Sequence, residues 1–123
     1  MDTNAVADAI LADLTALHAR SYRNKTPQTP VTPYVVFMLD SATDTVPSLD
    51  YYLNIDIFDS PNEPSRASET LADTIQAYLD DKVIINETFN LHAALEQRQY
   101  ISNTDLVDRQ MVNLRFVCRV YFN

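Results

Sequence analysis

Two histidines, one cysteine and a group of carboxylates are the side chains in this sequence with the most chemistry in them. A zinc site draws on Cys and His at close, paired spacing, whereas His18, His92 and Cys118 are far apart and have no such neighbour. Asp56, Asp59 and Glu63 are hard oxygen donors, but they lack the alternating spacing of a calcium loop. Glu63 is accounted for more simply by its place ahead of a helix. A serine nucleophile of the elbow type needs glycines around it, and the chain has none. The same lack removes the phosphate-cradling loops of nucleotide enzymes, which depend on close approach of glycine backbone to the anion. No catalytic residue, metal ligand or cofactor is therefore assigned, and the expectation is a non-enzyme that works through its surface.

The bulk properties narrow the surface chemistry. A net charge of -8 opposes general adhesion to nucleic acid, which is driven by Lys and Arg displacing counterions. No apolar run approaches the roughly 20 residues of a membrane span, and the opening "MDTNAVADAI" lacks the basic flank of a signal peptide. A soluble protein made in a reducing compartment, with no membrane partner, is expected. Cys118 cannot form an intrachain disulfide and reads as a small core hydrophobe. Charge is unevenly spread: no basic residue lies between Lys25 and Arg66, where Asp40, Asp44, Asp50, Asp56, Asp59 and Glu63 all fall. Arg98, Arg109, Arg115 and Arg119 lie toward the C-terminus. Ordinary solvated surface explains this, and so does a molecule with an acidic and a basic flank that meets another copy of itself.

The elements that position these residues follow from periodicity. Val6, Ile10, Leu14 and Leu17 recur at helical spacing, predicting a helix from Thr3 to about Ala19 with Asp2 or Thr3 as its cap. Pro27, Pro30 and Pro33 favour an extended connector over about 21–33. "YVVFMLD" is a strand apolar on both alternations, and "SATDTVPSL" a polar loop. From Tyr51 to Phe58, Leu53, Ile55 and Ile57 point one way and Asn54 and Asp56 the other. After "DSPNEPS" a second helix is expected, with Asn62 or Ser65 as cap and Ala67, Leu71, Ile75, Tyr78 and Leu79 as its buried stripe. "KVIINETFNLH" reads as a short strand or an ordered loop. Two long strands follow, from Ala93 to Tyr100 and from Arg109 to Phe122, the last placing Arg115, Arg119 and Tyr121 on its wetter face. The sum is one α+β domain over 1–123, a mostly antiparallel sheet of about four strands with two helices on one face.

That order of elements, with "PYVVF", "YYLNIDIFD", "EPSRASETLADTIQAYL" and "LEQRQYISNTDLVDRQMVNLRFVCRVYF", resembles the tail terminator (tail completion) proteins of long-tailed bacteriophages. The closing stretch, with Arg98, Asp105, Asp108 and the strand from Leu114, is the part most like the family. The resemblance spans essentially the whole chain and rests on patterns of strands and apolar periodicity. Where this chain has "VIINETFN", relatives often have glycines. The resemblance implies a structural virion protein that forms a homo-oligomeric ring, commonly a hexamer. The ring stops the tail tube at the head-tail junction and joins the tube protein to the head-side connector or stopper, with DNA only passing through. Arg98, Arg109, Arg115, Arg119 and Tyr121 are then candidates for ring and tube contacts, and Asp40, Asp44 and Asp50 for a lumen-facing acidic loop. Two alternatives stand beside it: a neighbouring head-tail joining (neck) protein, and a small cytoplasmic ligand-binding or enzymatic α+β domain.

Overall fold

A computed structural model describes residues 2–29, 31–45, 48–60, 66–104 and 107–123, and of these all side chains except 41–45, 66, 102–104 and 107–109. Helix α1, Thr3–Leu17, starts where Asp2 Oδ1 accepts the Ala5 N–H at 3.0 Å. It buries Val6, Ala7, Ile10 and Leu14, the stripe its spacing dictates. The chain then enters the sheet as β1, Ser21–Arg23, and β2, Tyr34–Thr45, forms a hairpin with β3, Ser48–Asp59. Helix α2, Arg66–Leu79, is followed by the short β4, Val83–Ile85, and by two long strands, β5, Phe89–Thr104, and β6, Val107–Phe122.

The fold class differs from the expectation of about four antiparallel strands. The sheet has 6 strands in the order β1-β2-β3-β6-β5-β4, and it is mixed because β1 runs parallel to β2. It curls into a half-barrel. Both added strands are three residues long, too short for an alternation pattern to register, and both are border strands. The first lies inside the segment expected to be an extended connector. Its pairing is fixed by Val35 N–H donating to Arg20 O and Asn24 N–H donating to Phe37 O, each at 2.9 Å. The loop expected at 41–49 is also mostly strand, because β2 and β3 pair as far as Thr45 and Ser48.

One core holds the molecule together. Val35 and Phe37 of β2, Tyr51, Leu53, Ile55 and Ile57 of β3, Phe89, Leu91 and Ala93 of β5, and the even-numbered residues Val112 to Val120 of β6 all turn to the face that the helices cover. Burying side chains such as Leu53, Ile55 and Ile57 contributes about 2 kcal/mol each before conformational entropy is subtracted. Helix α2 meets this face through Ala72, Ile75 and Leu79, with Ser68 buried beside them. Its rotation therefore departs from the expected stripe: Ala67 is exposed, and Tyr78 is exposed with its hydroxyl donating to Asp13 Oδ1 at 3.4 Å. The expected caps Asn62 and Ser65, and Glu63, lie outside the described residues. A cap comes instead from the end of β3, where buried Asp59 accepts the Ser60 N–H through Oδ1 at 3.0 Å and the Ser68 N–H through Oδ2 at 3.2 Å.

Turns that a glycine would ordinarily fill are held by other residues. Asn24 and Asp81 both have φ of 65°, in the left-handed region. Asp81 follows the last turn of α2, where Asp80 N–H donates to Gln76 O and Lys82 N–H to Leu79 O.

Candidate assembly surface

The side of the sheet away from the helices presents one residue in two from each long strand, and the register places them in rows. Tyr34, Phe58, Met111 and Ile101 lie in one row, and Val36, Asp56, Asn113 and Gln99 in the next. Met38, Asn54, Arg115 and Gln97 follow, then Asp40, Tyr52, Val117 and Ala94. At the far end Asp50, Arg119 and His92 are side by side. Phe58, which interrupts an otherwise polar alternation, stacks on the Tyr34 ring with centroids 4.9 Å apart.

Arg115 and Arg119 lie on this face as expected, and neither side chain stands by itself. The Arg115 guanidinium sits over the Tyr52 ring, 3.9 Å from its centroid, a cation-π arrangement. Its Nε is 3.3 Å from Glu96 Oε1, close enough for charge attraction although it lacks the alignment of a hydrogen bond. Arg119 Nε is 3.4 Å from Asp50 Oδ1, with the arginine 57% and the aspartate 16% exposed. Tyr121 is exposed at the end of the same strand. Within one row, Asn113 Nδ2 donates to Asp56 Oδ1 at 2.7 Å. Burial raises the Asp56 pKa above the usual carboxylate value, and the Asn113 hydrogen bond partly offsets the shift.

Arg98, named with these residues as a candidate contact, does not share this surface: the bulge between Leu95 and Gln97 shifts the alternation, so Arg98 lies opposite Leu114 on the helix side. There its Nη1 donates to Asp73 Oδ1 at 2.7 Å and to Gln76 Oε1 at 3.0 Å. Arg98, Arg115 and Arg119 each stand against a carboxylate. Asp40 is exposed on β2 and Asp50 sits in β3, so the two belong to strands and not to a loop. The side chains of Asp44, Asp105, Asp108 and Arg109 lie outside the described residues, although the backbones of Asp44, Asp108 and Arg109 are strand.

The rest of the molecule offers little to reaction chemistry. Cys118 is fully buried in the core and burial pushes its thiol up to about 12, far from a reactive thiolate. A groove of about 560 Å³ between α1 and α2 is lined by Leu17, His18, Pro33, Ala67, Thr70, Leu71 and Thr74. His18 Nε2 donates to Pro33 O there at 2.8 Å, which commits that nitrogen. Among the described residues no group of three His, Cys, Asp or Glu is placed to hold a metal ion. No sequence pattern points to Tyr52, Glu96 and Asn113, which complete this face, because their roles depend on cross-strand register.

No protein-family model matches this sequence, and no curated protein matches it. The fold, however, is shared with a solved structure, a chain from "Virion of native gene transfer agent (GTA) particle". The two superpose with a TM-score of 0.65 at 17% sequence identity, over 89% of this chain and 85% of that one. At that identity the likeness is one of fold.

Proposed function

We propose that this chain is a structural virion protein of the tail terminator kind, forming a ring that ends the tail tube and presents it to the head-side connector. The observation that carries the reading is the shared fold over nearly the full length of both chains with a component of a gene transfer agent virion. The resemblance in element order to tail terminators points the same way. A sheet with one dry, helix-backed face and one polar, aromatic face is suited to assembly, because the core stays satisfied while the part of the second face around Arg115, Glu96 and Arg119 is open to a neighbour. Ring formation calls for a heterologous interface, in which unlike surfaces of successive copies meet and the rotation closes. Each junction should bury more than about 1,000 Å².

The test is to mix the purified protein with its tail-tube protein and image the result by negative stain. Capped tubes of uniform length are expected. Binding to the head-side connector with no effect on tube ends would move the assignment to a neighbouring neck protein, and a strictly monomeric chain on the particle would end it. The proposal includes a lumen position for Asp40, Asp44 and Asp50, where negative charge lets DNA pass without adhering. A map of the assembled particle with these residues on the outer rim removes that part.

A further inference from the structure

The sheet is covered only halfway along each of its two borders. On one border β1 pairs with Val35 to Phe37 of β2, and among the described residues no strand lies beside Met38–Thr45 on that side. On the other, β4 pairs with Asn90 to His92 of β5, and no described strand lies beside Glu96–Thr104. The two open halves are at opposite corners. Both begin near the row of Met38, Asn54, Arg115 and Gln97, and they run from it in opposite directions along the sheet.

Backbone geometry makes these open halves complementary. The pairs β2-β3, β3-β6 and β6-β5 are all antiparallel, so β2 and β5 run in opposite senses. Two copies side by side in the same orientation therefore bring the edges together antiparallel. Val35 N–H and Phe37 O are turned toward β1, so alternation turns the N–H and C=O of Leu39 out over the open half of that border. On β5, Ala93 N–H is turned toward β4, and the one-residue bulge after Leu95 then places the groups of Arg98 and Tyr100 on the open edge. Side-chain parity agrees as well. Leu39 lies opposite Leu53, and Arg98 and Tyr100 lie opposite Leu114 and Val112, so all three belong to the helix-bearing face. Joining Leu39 to a β5 residue of that parity keeps the helices of successive copies on one side. Neither open stretch contains the lysine or proline with which exposed edges are commonly blocked.

We infer that copies of this chain join through these two edges, Met38–Thr45 of one β2 pairing antiparallel with Glu96–Thr104 of the next β5, to give one continuous sheet. The inference rests on the ring reading above and specifies its interface. The offset between the corners makes each copy step along the strand direction relative to the last, and closed barrels need such a stagger to tilt their strands. The short β1 and β4 stand at the ends of the paired stretch and act as stops that fix the register.

Tyr100→Pro removes an outward N–H at an edge, a position where proline is tolerated, while Tyr100→Phe keeps it. The expected result is a cooperatively melting monomer for Tyr100→Pro and assembly for Tyr100→Phe, read by size-exclusion chromatography with light scattering. A second measurement depends on no backbone change: Asp40→Cys is mixed with Gln99→Cys or Ile101→Cys and oxidised. Disulfide dimers containing one chain of each variant are expected in at least one mixture. Assembly of Tyr100→Pro like wild type, or cross-linking of Asp40→Cys only to itself, overturns the edge pairing and leaves the ring reading intact. A wild-type chain that never self-associates overturns both.

Discussion

The two faces of the sheet are made from the same strands and differ in almost every physical respect. On the helix side Phe116, Leu114, Ile55 and Ile57 are completely buried in one aliphatic and aromatic cluster. On the other side the neighbouring positions of the same strands hold Arg115, Asn113, Asn54 and Asp56. The first face derives its stability from area removed from water, and the second holds polar groups in fixed mutual geometry. Stability and recognition are thus separated by a single step along each strand, and substitutions on the two sides should fail in different ways.

The sharpest contrast is expected from Phe116→Ala, which empties the centre of the covered face. It should destabilise by about 3–5 kcal/mol, read by thermal or urea unfolding, and a loss below about 1 kcal/mol would mean that the core tolerates the cavity. Asp59→Ala leaves the Ser68 and Ser60 amides without their carboxylate and should cost about 1–3 kcal/mol. Asp59→Asn should recover part of that loss, because one acceptor oxygen remains.

Substitutions on the uncovered face should behave oppositely. Arg115→Glu together with Arg119→Glu removes two half-buried ion pairs and one cation-π contact and should cost about 1–2 kcal/mol, well below the loss in the core. The double variant is nevertheless expected to lose assembly, and unchanged elution on size exclusion would remove these arginines from the interface.

The smallest effect concerns Asp56. Its folded-state pKa lies above the unfolded value, so the native state retains this proton over a range where the unfolded chain has released it. That contribution is present below the unfolded pKa and is lost as pH rises through the raised one, above which a desolvated carboxylate remains. Asp56→Asn, which keeps an acceptor for Asn113, should therefore match or slightly exceed wild-type stability at pH values above the raised pKa. Wild type should gain on the variant as pH falls through the raised range. Parallel melting-temperature curves against pH would show that the burial of Asp56 has no energetic weight.

What could be read from the sequence follows the same division. Alternating strands such as Leu53-Asn54-Ile55-Asp56 and the last strand from Val112 identified the covered face before any coordinates, because burial writes a period-two pattern into the chain. Border strands of three residues leave no such trace, so β1 is hidden in a proline-rich stretch and the alternation pattern alone yields about four strands. The bulge at Glu96 leaves no mark in the sequence, and it sets Arg98 on the helix side of the sheet. Tyr78 was placed in the α2 stripe by spacing that suits it nearly as well as Ala72, and the sheet selected the smaller residue for close approach. Long-range pairing decides each of these cases.

Filling the left-handed turns at Asn24 and Asp81 without glycine has a consequence before the chain is folded at all. A polypeptide lacking its most permissive residue samples fewer backbone states when unfolded, so ordering it surrenders less entropy. Among the described residues the strain falls at two positions, while the restriction of the denatured ensemble is distributed along all 123 residues.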